Sequence, residues 1–185
     1  YRSLVHNLTL MDARNDAVVT YLNTQQQLIH ESLSAITGMT GDPLTYASIL
    51  SRRFFRLVHE STQRYQGIFM SGDADSDQDF AKSSEFHHAS GYVKWLVKQI
   101  TDEFCRTFKD QVFTGCSNDF RIIAPCCDLA FQQADTLKND GIMLTYIVQD
   151  NFRETIALAI ESFVWKYEDE LNEKIGTESW MSTEV

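Results

Sequence analysis

The sequence predicts an all-α protein. Apolar residues recur at steps of three and four almost throughout its 185 residues, and no apolar-polar alternation of period two is sustained between Gly or Pro punctuation. With only 2 Pro and 8 Gly there is little to interrupt helices, and 43% hydrophobic residues are enough for one sizeable core. Long helices with short connections pack antiparallel, so the expected architecture is an elongated rod of stacked helical bundles.

The expected organisation is N-terminal helices over 1–41, central long helices over 42–139, C-terminal helices over 140–175 and a tail over 176–185. Residues 3–35 carry Leu4, Val5 and Leu8, then Val18, Val19, Leu22, Leu28, Ile29 and Leu33, as two helices meeting near Asp12 to Asn15. Asp42-Pro43 opens the next helix: the Asp side chain accepts orphan amide bonds, and Pro loses nothing at the first helical position. Its inward stripe to about Met70 is Ala47, Leu50, Phe54, Leu57, Ser61, Tyr65 and Ile68. The polar tract from Ser71 to Glu85 cannot bury apolar area and is expected to be a disordered acidic loop.

A helix over 86–113 follows, with Ala89, Val93, Leu96, Ile100, Phe104, Phe108 and Val112 inward and Gly115 at its end. Asn118 or Asp119 caps another to about Asn139, on Ile123, Cys127, Ala130, Ala134 and Leu137. Pro125 inside it removes a backbone donor, which predicts a kink or a start delayed to Ala124. Gly141 stops this helix, and Ile142 to Val148 reads as a short one. Asn151-Phe-Arg-Glu154 is a capping box for a last helix with Phe152, Ile156, Ile160, Phe163, Tyr167, Leu171 and Ile175 on one face. No repeat of a solenoid type is visible.

Charge narrows the classes of partner. Lys and Arg number 16 against 26 Asp and Glu, a net charge of -10. Most of the excess lies in 71–85 and 166–185, and the remainder is a mixed, solvated surface. A polyanion such as nucleic acid wants the opposite sign, and no apolar run is long enough to span a bilayer, so neither nucleic-acid binding nor direct membrane insertion is expected. The N-terminus lacks the regions of a signal peptide and an initiator Met, which suggests a piece of a longer chain. Cys105, Cys116, Cys126 and Cys127 have neither C-x-x-C spacing nor a zinc pattern and are expected to be reduced, partly buried thiols.

Motifs of chemistry are incomplete. Asp73-x-Asp75-x-Asp77 begins like an EF-hand loop, but Gln78 stands where a Gly is needed and Ser84 where a bidentate Glu is needed. Ser76, followed by Asp77 and Asp79, is a candidate phosphorylation site. Glu85-Phe-His-His88 contains a single Glu-x-x-His step, whereas di-iron bundles use two. His6, His30 and His59 have no serine or cysteine at a recognisable spacing, and phosphate-loop and zinc-protease patterns are missing. No catalytic residue, metal ligand or cofactor is assigned. Candidate interaction residues are Arg52, Arg53 and Arg56, a basic patch on one helix with Arg64 two turns on, and Trp180 as an anchor in the tail.

Several patterns in this order resemble the C-terminal helical domain of the eighty-four subunit of the exocyst, the octameric vesicle-tethering complex. They are Gly41-Asp-Pro-Leu-Thr-Tyr-Ala-Ser-Ile-Leu-Ser-Arg-Arg-Phe-Phe55, then Tyr92-Val-Lys-Trp-Leu-Val-Lys-Gln-Ile-Thr-Asp-Glu-Phe104 leading to Phe108 and Gln111-Val-Phe113, and Gly141 through Leu144-Thr-Tyr-Ile147. The resemblance runs from about Leu4 to Leu171; Pro125 and the acidic insert after Met70 depart from the family pattern.

The resemblance implies a rod of stacked bundles without enzymatic activity, tethering secretory vesicles to the plasma membrane before SNARE-mediated fusion. Implied partners are the other exocyst subunits and, through the whole complex, SNARE-regulatory proteins and small GTPases. The implied location is cytoplasmic, with recruitment to plasma-membrane sites of polarised secretion and to secretory vesicles. Two other readings fit the residues: a subunit of another helical-rod tethering complex, and a calcium- or phosphorylation-regulated helical adaptor.

Overall fold

A computed structural model describes residues 14–36, 42–70, 89–116 and 119–177, and among these every regular element is helical. Helix α1 is Arg14–Ser34. Helix α2 is Pro43–Tyr65, continued by a π-helical turn Gln66–Met70. Helix α3 covers 89–113: α-helical at first, π-helical over Gln99–Cys105, briefly α-helical over Arg106–Phe108 and π-helical again over Lys109–Phe113. Helix α4 is Phe120–Asp135 and runs into a 3-10 turn, Thr136–Asp140. Helix α5 is Thr145–Thr177.

The ends expected from local chemistry are present. Asp42 Oδ2 accepts the Thr45 amide at 3.3 Å, with Pro43 in the first turn. Asp119 caps α4 by accepting the Arg121 amide at 2.9 Å. Gly141 adopts φ 75°; its amide reaches the Lys138 carbonyl at 3.0 Å, and that of Ile142 reaches Leu137 at 3.1 Å. This is a Schellman closure, and it needs a residue that tolerates a left-handed backbone.

Helices consecutive in the chain run antiparallel, whereas α4 runs alongside α2 in the same direction, with Asp42 near Cys126 and His59 on Asp140; α2 is the central element. It packs on α1, α3 and α4, and α5 covers α4 and the first π-helical stretch of α3. Tyr21 of α1 lies against Tyr65 while Ser32 reaches Arg53, and Phe54 meets Phe104 while Tyr65 meets Tyr92. Aromatic rings carry much of the core: Phe152 of α5 touches Phe104, Phe108 and Phe113 of α3 and Phe131 of α4.

The wide turns of α3 follow from its stripe. Tyr92, Leu96, Ile100, Phe104, Phe108 and Val112 are all buried and recur every fourth residue. In a regular α-helix such a stripe rotates by about 40° at every step and winds off the core. The π-helical turns enclose an extra residue each and return it to the same side.

Several expectations are corrected. The separate helix over 142–148 and the capping box at Asn151 do not exist; α5 is continuous from Thr145, and the Asn151 side chain donates to the Ile147 carbonyl at 2.9 Å from within it. No Pro or Gly occurs between Thr145 and Ile175 to break the helix. Nor is α4 delayed to Ala124: with Asp119 as cap, it opens at Phe120 and passes through Pro125. The stripe of α3 begins at Tyr92, not at Ala89 and Val93, because the Tyr92 ring stacks on Tyr65 at 4.3 Å and its hydroxyl bonds Thr62 at 2.9 Å; Val93 is exposed. On α1, Val19 and Leu28 are exposed, and Ala17, Tyr21, Gln25, Ile29 and Leu33 face the core. The last helix buries Val148, Phe152 and Ala159, but Ile160, Tyr167, Leu171 and Ile175 are exposed. The acidic loop and the helix expected before Asp12 lie outside the described residues.

Candidate assembly surfaces

Helix α2 buries Leu50, Phe54, Val58, Ser61 and Tyr65 on one side, which leaves residues 48, 49, 52, 53 and 56 together on another. Ser48, Ile49, Arg52, Arg53 and Arg56 line an open groove of about 220 Å³ there. The structure thus brings all three predicted arginines to one site. Arg53 Nε donates to Ser32 Oγ of α1 at 2.7 Å. Arg56 lies 3.9 Å from Glu60, which also takes Arg64 at 3.4 Å. Arg52 makes no ion pair with a described residue. The site is therefore a shallow floor at Ile49 beside two guanidinium groups, those of Arg52 and Arg53, that pair with no carboxylate among the described residues.

Two histidines that look isolated in sequence have acidic neighbours in space. His30 Nδ1 of α1 sits 3.2 Å from Glu103 Oε2 of α3, and His59 Nδ1 of α2 sits 2.5 Å from the buried Asp140 carboxylate. Gln63 approaches His59 Nε2 at 3.1 Å, and Gln66 donates to the Asp140 carbonyl. These are joints between helices: the sequence separations are 73 and 81 residues, so no local spacing announces them. Neither arrangement includes a nucleophile.

Among the described residues, Cys105, Cys116, Cys126 and Cys127 are free and buried, as expected of reduced thiols. Burial pushes the thiols of Cys105, Cys126 and Cys127 up to about 12, and it also raises Cys116, which hydrogen-bonds Cys126. They are held as thiols, the form that is neither nucleophile nor metal ligand. No group of His, Cys, Asp and Glu among the described residues could hold a metal ion. Among the described residues no helix is long and apolar enough to cross a membrane. Ser76, Trp180, the Asp73 to Asp79 tract and the Glu85 to His88 step lie outside the described residues.

The family model for the exocyst component 84 C-terminal domain matches residues 1–145. The chain belongs to the exocyst component 84 C-terminal family. The match runs from the first residue to the start of α5, and most of α5 lies beyond it although the sequence resemblance extended to Leu171. Neither the curated proteins nor the solved structures contain a significant match. The family is that of an exocyst subunit, and membership of it implies other exocyst subunits as partners.

Proposed function

We propose that this chain is a non-catalytic assembly module of the exocyst, a helical rod element that helps hold the complex together while it tethers secretory vesicles to the plasma membrane before SNARE-mediated fusion. The observation that carries the reading is the family match over residues 1–145. The architecture suits the task, because a core tied by aromatic contacts among several helices makes a stiff body whose outer faces are available to neighbours. The thiols are buried and protonated, and the His-carboxylate pairs serve as interhelical joints.

The basic groove of α2 is the first candidate contact. Its arginines suit an acidic surface on another subunit, and its floor offers Ile49 as an apolar anchor. SNARE regulators and small GTPases reach the domain through the whole complex, which operates in the cytoplasm at sites of polarised secretion.

The test is made in cells. Deleting residues 43–171 should disrupt co-purification of the other exocyst subunits and delay vesicle delivery; intact assembly and delivery would overturn the reading. Arg52→Glu with Arg56→Glu should weaken assembly at an unchanged melting temperature. An unaffected complex would exclude that face as a contact.

A further inference from the structure

Helix α5 is 33 residues long, about 50 Å, and only its first half belongs to the core. The last packed residue is Phe163, whose ring lies 5.8 Å from that of Phe120 and 5.8 Å from the Arg121 guanidinium. From Val164 to Thr177 every residue is exposed. The helix therefore leaves the bundle at Phe163 as an arm.

The arm is not polar all round, as a freely solvated helix would be. Ile160, Val164, Tyr167, Leu171 and Ile175 recur at steps of four, three, four and four, and all five are exposed, by 43 to 59%. This spacing makes a narrow seam of the coiled-coil type. Glu161 and Glu168 border one edge, and Glu170 with Lys174 borders the other. An isolated helix of this length is marginal in water, so the arm gains most of its order when the seam is covered.

We propose that the arm of α5 is a docking helix for an amphipathic helix of a different polypeptide, one with an apolar seam flanked by Lys or Arg. Charge decides the occupant. A second copy of the arm brings one lysine, Lys174, to the glutamates at 161, 168 and 170, so self-pairing leaves carboxylates without counter-charges. A basic-flanked helix supplies them and covers the same apolar residues. So short a seam gives an interface at the small end of the specific range. It is suited to a contact made effective by attachment to a larger assembly. The inference rests on the assembly-module reading only for the source of the partner, another subunit; the chemistry of the seam stands apart from it.

The test uses the full chain and two synthetic helical peptides of about three heptads, both with Leu and Ile on the seam, one flanked by Lys and the other by Glu. The Lys-flanked peptide should bind saturably, more weakly as salt rises, and the Glu-flanked peptide should bind at least tenfold less. Val164→Asp with Leu171→Asp should abolish binding at an unchanged melting temperature, because both residues are outside the core. Glu161→Lys with Glu168→Lys and Glu170→Lys should invert the preference between the peptides. Equal binding of the two peptides, binding that survives the Asp variants, a dimer formed through α5, or amide-exchange protection of 160–177 in the full chain alone would each overturn the proposal. Failure here with subunit co-purification intact leaves the assembly reading standing, whereas peptide binding with failed co-purification separates the seam from the exocyst.

Discussion

Phe54 of α2 and Phe104 of α3 stack with ring centroids 4.9 Å apart and planes 25° from parallel, both fully buried. Phe55 meets Phe104 edge-on at 4.9 Å, and the ring of Phe152 of α5 lies 6.4 Å from it. The pair is therefore where three helices share one core. Phe54→Ala or Phe104→Ala should each cost roughly 3 to 5 kcal/mol in denaturant unfolding. The double variant should cost less than the sum, because the rings touch. A loss under about 1 kcal/mol in either single variant would remove that ring from the core.

Ser51 presents the opposite case. It is fully buried on α2, and its hydroxyl has no hydrogen-bond partner among the described residues. Such a group keeps its desolvation cost without recovering a bond. Ser51→Ala should be neutral or stabilise by about 1 kcal/mol, read as a midpoint shift in urea at constant slope.

Thiol chemistry should report unfolding. With burial holding Cys105, Cys126 and Cys127 up at about 12, a thiol reagent at pH 8 should label none of them in the folded chain and all of them in denaturant. The sign of the linkage follows. These groups favour the folded state fully below the ordinary thiol value of 9.0, and that contribution is lost as pH rises from there towards 12. A stability that did not fall over this alkaline range in urea titrations would contradict it.

At the acid end, Asp135 ties the end of α4 to the start of α5. Its carboxylate takes Lys138 Nζ at 2.8 Å and Thr145 Oγ1 at 2.5 Å, and these bonds, Lys138 first, hold it below its ordinary value. A depressed carboxylate contributes stability above its unfolded value, near 3.8, and loses it as pH falls through the lower folded value. Asp135→Asn should therefore flatten the loss of stability below about pH 4 and remove little of the core's cooperativity. An unchanged acid limb would show that the contact contributes nothing to folding.

Much of the fold was legible because local chemistry writes helix ends plainly. Asp42-Pro43, Asp119 and Gly141 all act where their residue types predict. What was not legible depends on contacts distant in sequence. Tyr92 outranks Val93 only because Tyr65 and Thr62 wait across the core, and His59 finds Asp140 only after the chain has turned back. The three arginines of α2 were visible as a patch, since residues 52, 53 and 56 share a helix face, but the groove between them depends on how α2 packs. The stripe of α5 is the instructive failure. Phe152 and Leu171 carry the same apolar signal, yet one is buried and the other exposed, because periodicity records a face that wants covering and not what covers it.

The wide turns of α3 bear on how a chain of this family can change its length. Each spends one residue more than the rise it covers requires, and the surplus lies within Gln99–Cys105 and Lys109–Phe113. Loss of a single codon there would let the backbone relax to ordinary α geometry, with Leu96 and Phe108 still on the same side of the helix. Elsewhere in α3 the same loss would swing every later side chain by about 100° and take the aromatic core apart. Gene lineages that drift in length by one residue should therefore do so at these two places, which serve the helix as slack.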